Sequence, residues 1–273
     1  PGPSEEFFSR IRQRALGGLG MSVDPDIRVA VGLPQINASD QQISEAIAAV
    51  AQALDHVGHA GNFVLLGCDQ QAGEKDGRVQ RVVQAQAQNL AEMHNELMAH
   101  AFAKGATHYV AVAPDVIPHY AAIKAMLCTS AVSLNRALVE GVPIASTRPV
   151  PFDSLSFDLP DIQCDFLLIP RAAFEELGGF DVELSAEIMG IDFGWRARAF
   201  GFVLKACPRA LFAKNLQQRP PEGRALLVSG KRLLRKWNGP AWLDHHIAGL
   251  AAFSGLELPH ISVDCVPAEW MPY

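Results

Sequence analysis

The chain has 273 residues, 49% of them hydrophobic, enough for one large core or two small ones. Its net charge of −6 argues against wholesale nucleic-acid binding, which calls for a basic face. Five cysteines, at positions 68, 128, 164, 207 and 265, are odd in number and lack paired metal spacing, so reduced thiols in a cytosolic setting are expected. No apolar run approaches the roughly 18 residues of a membrane-spanning helix, and no signal peptide is visible. The opening Pro1-Gly2-Pro3-Ser4, without an initiator Met, is set aside as a tail.

In chain order, Glu5 to Leu16 fits a short peripheral helix, and Gly17 to Gly20 a flexible joint. Ile27 to Leu33 is a β-branched run ending at Pro34, expected to be a buried first strand. Ser39-Asp40 caps a helix from about Gln41 to Val57, with Ile43, Ile47, Val50 and Leu54 on one side. Asn62 to Gly67 is a second strand, followed by Cys68-Asp69 and a polar loop. Strand, helix, strand at this spacing predicts a right-handed parallel crossover. Ligands on such sheets gather beyond the strand C-termini, where Pro34 and Asp69 would sit.

Arg78 to Lys104 reads as one polar helix ended by Gly105, and Thr107 to Val112 as a third strand running into Ala113-Pro114-Asp115-Val116. A helix from about His119 to Thr129 follows. Leu134 to Ile144 fits a helix or an irregular segment, and Ala145 to Leu159 a Pro-rich loop that would cover a site. Phe166 to Ile169 is an apolar strand closed by Pro170. Arg171 to Leu177 reads as a short helix stopped by Gly178-Gly179. Asp181, Glu183, Glu187 and Asp192 then crowd four carboxylates into a dozen residues, with a helical pattern from Asp192 and a strand from Phe202 to Ala206. Arg224 to Trp237 is a basic amphipathic helix. Neither an internal repeat nor a low-complexity segment is found.

The order of apolar strand, Pro170-Arg171, Gly178-Gly179-Phe180-Asp181, acidic loop, Asp192, Arg, Gly201-Phe202, strand and Pro208 resembles the second half of inverting, family-two type nucleotide-sugar glycosyltransferases. Ile191-Asp192 replaces their usual Glu-Asp. The resemblance covers about Ile27 to Trp237 and is best from Cys164 to Pro208. It implies a GT-A fold: a single α/β, Rossmann-like domain with a mostly parallel sheet flanked by helices. The expected divisions are 1–26 as leader, 27–215 as the glycosyltransferase-like domain, and 216–273 as a C-terminal helical extension.

The resemblance also implies roles. Asp192 takes the position of the catalytic base. Asp115 matches the last acid of the Asp-x-Asp pattern, which holds a divalent cation (Mn or Mg) on the nucleotide diphosphate. Asp69 matches an acid that contacts the nucleobase, Asn95 an Asn of the preceding helix, and Lys214 falls at or beside a metal-binding His. An inverting transfer needs a carboxylate within reach of the acceptor hydroxyl and neutralisation of the leaving diphosphate. Two residues depart from the metal pattern: Ala113 replaces the first acid of Asp-x-Asp, and Lys214 puts an ammonium, which repels a cation, where a neutral His is expected. Lys214 is therefore read as giving its charge to the diphosphate directly, leaving the metal weak or dispensable. The nucleotide-sugar-binding set is Pro34, Asp69, Asn95, Asp115 and Lys214.

The same residues have plainer readings. Asp192 would serve as a helix N-cap, Asp115 as a strand-end turn residue, Asp69 as a loop cap and Lys214 as a solvated lysine. His245-His246 lacks a third metal ligand nearby. Lys231, Arg232, Arg235 and Lys236 form either an ordinary solvated face or a contact to anionic lipid at the inner face of the membrane. The implied acceptor is a saccharide or lipid-linked sugar in bacterial surface polysaccharide synthesis, with no nucleic acid involved and a homo-oligomer as a further expectation. The rival from another class is a catalytically silent glycosyltransferase-like module. A sugar nucleotidyltransferase is disfavoured, because no Gly-rich phosphate loop follows the first strand.

Overall fold

The structure is a computed structural model that describes residues 26–36, 39–68, 77–83, 87, 89–144, 156–214 and 223–237. The leader helix, Asp69, most of the Pro-rich loop and the His245-His246 pair lie outside the described residues.

The first strand, β1 (Val29–Pro34), is buried at every position. Helix α1 (Asp40–Val57) follows with a capping box: Ser39 Oγ accepts from the Gln42 amide, and Gln42 Oε1 accepts from the Ser39 amide. Strand β2 (Phe63–Cys68) then pairs in parallel with β1, giving the predicted crossover. The expectation of one helix from Arg78 to Lys104 is corrected. Val79–Val83 forms strand β3, parallel to β2, and among the described residues of that span the helix is Leu90–Ala103 (α2). The β-branched Val79, Val82 and Val83 suit an edge strand, while Asn89 accepts from the Glu92 amide and so starts the helix late.

Strand β4 (His108–Val112) pairs in parallel with β1, and a short β5 (Val116–Pro118) leads into α3 (Ala122–Val132). The segment expected as helix or irregular is instead strand β6 (Ala137–Pro143). A two-residue strand, β7 (Phe157–Asp158), precedes β8 (Phe166–Pro170) and helix α4 (Arg171–Leu177). Helix α5 (Ala186–Ala199) starts six residues before Asp192, so Asp192 is not its N-cap. Strand β9 (Val203–Lys214) runs straight through Pro208. It does so because the β6–β9 register slips between Glu140 and Val142, so Pro208 falls where no ladder bond is required. Helix α6 (Gly223–Lys236) ends the described chain.

The sheet order is β3-β2-β1-β4-β8-β6-β9-β5, with β7 on β9. Strands β1, β2, β3, β4, β6 and β9 run one way, and β5, β7 and β8 the other. Alternate residues feed two cores: Val29, Val31 and Leu33 meet α1 and α3 on one face, while Ala30, Tyr109 and Ala111 meet α2 and α5 on the other. Each fully buried Val, Leu or Ile contributes about 1.5–3 kcal/mol, and both faces are covered as a parallel sheet requires. No described helix is long and apolar enough to cross a membrane.

Candidate functional site

Two polar clusters stand out against this apolar frame. The first lies at the C-terminal edge of the parallel strands. Beyond Val112 the chain turns through Ala113 to Val116, the Val116 amide bonding to the Ala113 carbonyl at 3.0 Å. The Ala113 amide donates to the Asp165 carbonyl at 2.8 Å, which ties this turn to the start of the antiparallel β8. On the far side of the sheet, β9 brings Lys214 opposite Val116. Asp115, Asp165 and Lys214, remote in sequence, therefore meet at one edge.

Their geometry is uneven. The Lys214 ammonium bonds both Asp165 oxygens, at 2.9 and 3.0 Å, and stands 4.0 Å from Asp115 Oδ2. Asp115 is 2% exposed, yet neither of its oxygens accepts a hydrogen bond from another residue. Burial pushes its carboxyl above the usual range; the Lys214 charge opposes that, Asp165 reinforces it, and its own amide opposes it. A buried carboxylate without donors is costly unless something binds it. Lys214 is not the solvated lysine of the plainer reading, since its side chain is 30% exposed and ion-paired.

Pro34 ends β1 at the same edge, with the neighbouring Gln35 amide bonding to the Gly67 carbonyl. Asp69, which follows β2 there, is outside the described residues.

The second cluster surrounds Asp192, which is 0% exposed. Arg196 Nε donates to Oδ2 at 2.8 Å; Trp237 Nε1 and Lys236 Nζ donate to Oδ1 at 2.9 and 3.0 Å. Lys236 also bonds Asp181 at 2.7 Å. Arg196 carries the network onward to the Leu177 and Gly179 carbonyls. Asp192 thus ties α5 to α6 and to the Gly-Gly-Phe-Asp turn. The expectation of a helix starting at Asp192 is corrected: Asp192 lies within α5, buried and bonded at both oxygens. No hydrogen bond or ion pair among the described residues joins the two clusters. Gly190, in the same helix, packs against the Ile162 carbonyl and Cys164, in the segment that leads to Asp165.

Asn95 is committed elsewhere than the strand edge. Its Oδ1 accepts from the Phe180 amide at 2.6 Å and its Nδ2 donates to the Phe180 carbonyl at 2.9 Å. A Cβ on Gly179 would lie 2.2 Å from Asn95 Oδ1, and Gly178 has φ +74°, which explains both glycines. Within the basic helix, Arg232 bonds the Glu183 carbonyl and Lys236 the acids above, while Lys231 and Arg235 are exposed charges among its described side chains. A cavity of about 620 Å³ lies at the opposite edge of the sheet, lined by Arg28, Asn62, Arg78 and Lys104, away from both clusters.

Asp165 escaped the sequence reading altogether. A Cys-Asp pair before a strand carries no pattern, and only the pairing of β8 with β4 reveals it.

No family model matches the sequence, and no curated protein matches it. Among solved structures, GalNAc-T7 with UDP, GalNAc and Mn2+ aligns with a TM-score of 0.63 at 11% identity, over 89% of this chain and 55% of that one. The mannosyltransferase PcManGT of Pyrobaculum calidifontis, in complex with GDP-Man and Mn2+, aligns with a TM-score of 0.59 at 15% identity, over 92% of this chain and 77% of that one. The chain therefore spans about half the length of the first and three quarters of the second. At such identities the likeness is one of fold, the GT-A fold of glycosyltransferases.

Proposed function

We propose that the chain transfers a sugar from a nucleotide-sugar donor to a saccharide or lipid-linked acceptor. The observation that carries this reading is Asp115: a buried carboxylate that accepts no hydrogen bond from another residue, at the strand edge where ligands of such sheets bind. The nucleotide lies along the Pro34 and Asp69 ends of the first two strands, with its diphosphate toward Asp115 and Lys214. Asn95 acts at one remove, holding the Gly179-Phe180 backbone in place. The carboxylate pair Asp115 and Asp165 fits a manganese or magnesium ion, since two carboxylates plus substrate phosphates are a usual set for such cations. When bound, that cation supplies charge to the leaving diphosphate.

The chemical step is a single displacement. The acceptor oxygen bonds to sugar C1 on the face opposite the diphosphate, and the C1–O bond to phosphate breaks with its electron pair. The acceptor proton passes to a carboxylate, for which Asp192 is the candidate. The anomeric configuration inverts. For Asp192 to act, Lys236 and Trp237 must draw off Oδ1, so we assign α6 the task of opening when the acceptor enters. Bacterial surface polysaccharide synthesis at the inner face of the membrane suits such chemistry, with Lys231 and Arg235 the charges left to meet anionic lipid.

One observation favours the rival reading of a silent module: Asp192 is enclosed and bonded at both oxygens. A panel of UDP-, GDP-, CDP- and dTDP-sugars separates the two, scored by release of the nucleoside diphosphate. The enzyme reading expects turnover of one donor class. It further expects Asp192→Asn to lower turnover at least a hundredfold while donor binding persists. A diphosphate that binds while no donor turns over gives the silent module the better claim.

A further inference from the structure

The Lys214 ammonium occupies an unusual position for a group meant to neutralise a diphosphate. It is held by both oxygens of Asp165 and stands 4.0 Å from Asp115. The three side chains carry two negative charges and one positive, a net of −1. Interaction between charges falls with distance, so the ammonium attends mainly to Asp165, and Asp115 is the less neutralised acid. Lys214 therefore cannot serve an incoming diphosphate while Asp165 holds it. A diphosphate entering beside two carboxylates with only that ammonium present would meet net repulsion.

We propose that Lys214 is a resident counter-ion that exchanges places with a divalent cation. In the free protein it occupies the space between Asp165 and Asp115. When donor and cation arrive together, the cation takes the two carboxylates and Lys214 turns to a phosphate oxygen. Both bound charges then have partners: the cation rests on two acids and phosphate, and the ammonium on phosphate alone. The arrangement makes cation and diphosphate interdependent, since neither can displace Lys214 economically without the other. The cation's remaining ligands come from the diphosphate and water.

This inference rests on the donor site proposed above, and the test keeps the two apart. Manganese is titrated into the protein with and without inorganic pyrophosphate, UDP or GDP, followed by calorimetry and by the manganese spin-resonance signal. Wild type is expected to bind manganese at least tenfold more tightly when a diphosphate is present. Lys214→Gln removes the competing ammonium, so manganese alone should bind it at least tenfold more tightly than wild type. Asp165→Asn should weaken manganese in the ternary state at least tenfold. Thermal melting of each variant establishes that it is folded before titration, and Lys214→Met provides a second removal of the charge.

Manganese affinity that ignores the diphosphate, or that is unchanged in both Lys214 variants, overturns the exchange. Diphosphate binding that is equally tight in a chelator overturns it while leaving the donor site standing. Failure of pyrophosphate, UDP and GDP alike to bind, with or without manganese, removes the donor site and the exchange with it.

Discussion

His94 and His108 show how far burial governs single residues in this chain. His94 is 0% exposed, its Nδ1 sharing a 2.8 Å hydrogen bond with the Tyr109 hydroxyl, and burial lowers its pKa to about 3. His108, also buried, is lowered to about 4, again chiefly by burial. Both folded values lie below the unfolded one, so their contribution is fully present above about pH 6.5 and is lost as pH falls toward the folded values. Between pH 7 and pH 5 each should cost about 2 kcal/mol of unfolding free energy. Urea denaturation at the two pH values checks this, and His94→Gln should remove roughly half of the slope. A stability that does not change across this range would contradict the burial. At the same scale the sequence exposed Asp115 and Asp192 through their neighbours, because Pro-Asp and Gly-Gly-Phe-Asp are local patterns. It could not expose Asp165, whose partner Lys214 is 49 residues away and reached only through the sheet.

At the scale of elements, legibility followed local signals. Helix α1 was readable from Ser39 onward because its cap and its apolar stripe agree. Strand β3 was hidden in a Gln-rich stretch, and β6 behind Leu134 and Asn135, whose positive φ values make a turn that β-branched content alone does not announce. The Gly-Gly turn is the junction of α2, α4 and α5, and it yields two predictions. Gly179→Ala drives a Cβ into Asn95 and should cost about 2–3 kcal/mol through the two lost hydrogen bonds and the displaced turn. In an Asn95→Ala background the same change should cost at least 1 kcal/mol less, because the obstructing atoms are gone. Additive costs in this double-mutant cycle would refute the contact.

Trp237 likewise fastens α6 to α5, through its bond to Asp192 and an edge-on stack with Trp195 at 5.6 Å. Trp237→Phe keeps an aromatic ring but removes the indole N–H, so amide exchange across residues 223–237 should accelerate while β1 and β4 keep their protection. Unchanged exchange there would mean that the bond does not hold the helix.

For the whole molecule, one sheet divides the labour. Its apolar faces bury two cores, and its C-terminal edge gathers the strand ends at Pro34, Asp115 and Lys214 together with Asp165. That edge is set by parallel pairing, which period and spacing made legible; the antiparallel insertion of β8, which delivers Asp165, depended on long-range register that no single sequence segment encodes. We propose this edge as a nucleoside-diphosphate site anchored by Asp115. Calorimetric titration of UDP, GDP, CDP and dTDP in the presence of manganese, into wild type and Asp115→Ala, tests it most directly. Wild type should bind one diphosphate saturably, and Asp115→Ala should bind it at least tenfold more weakly. Absence of binding by all four, or equal binding by the variant, would contradict it.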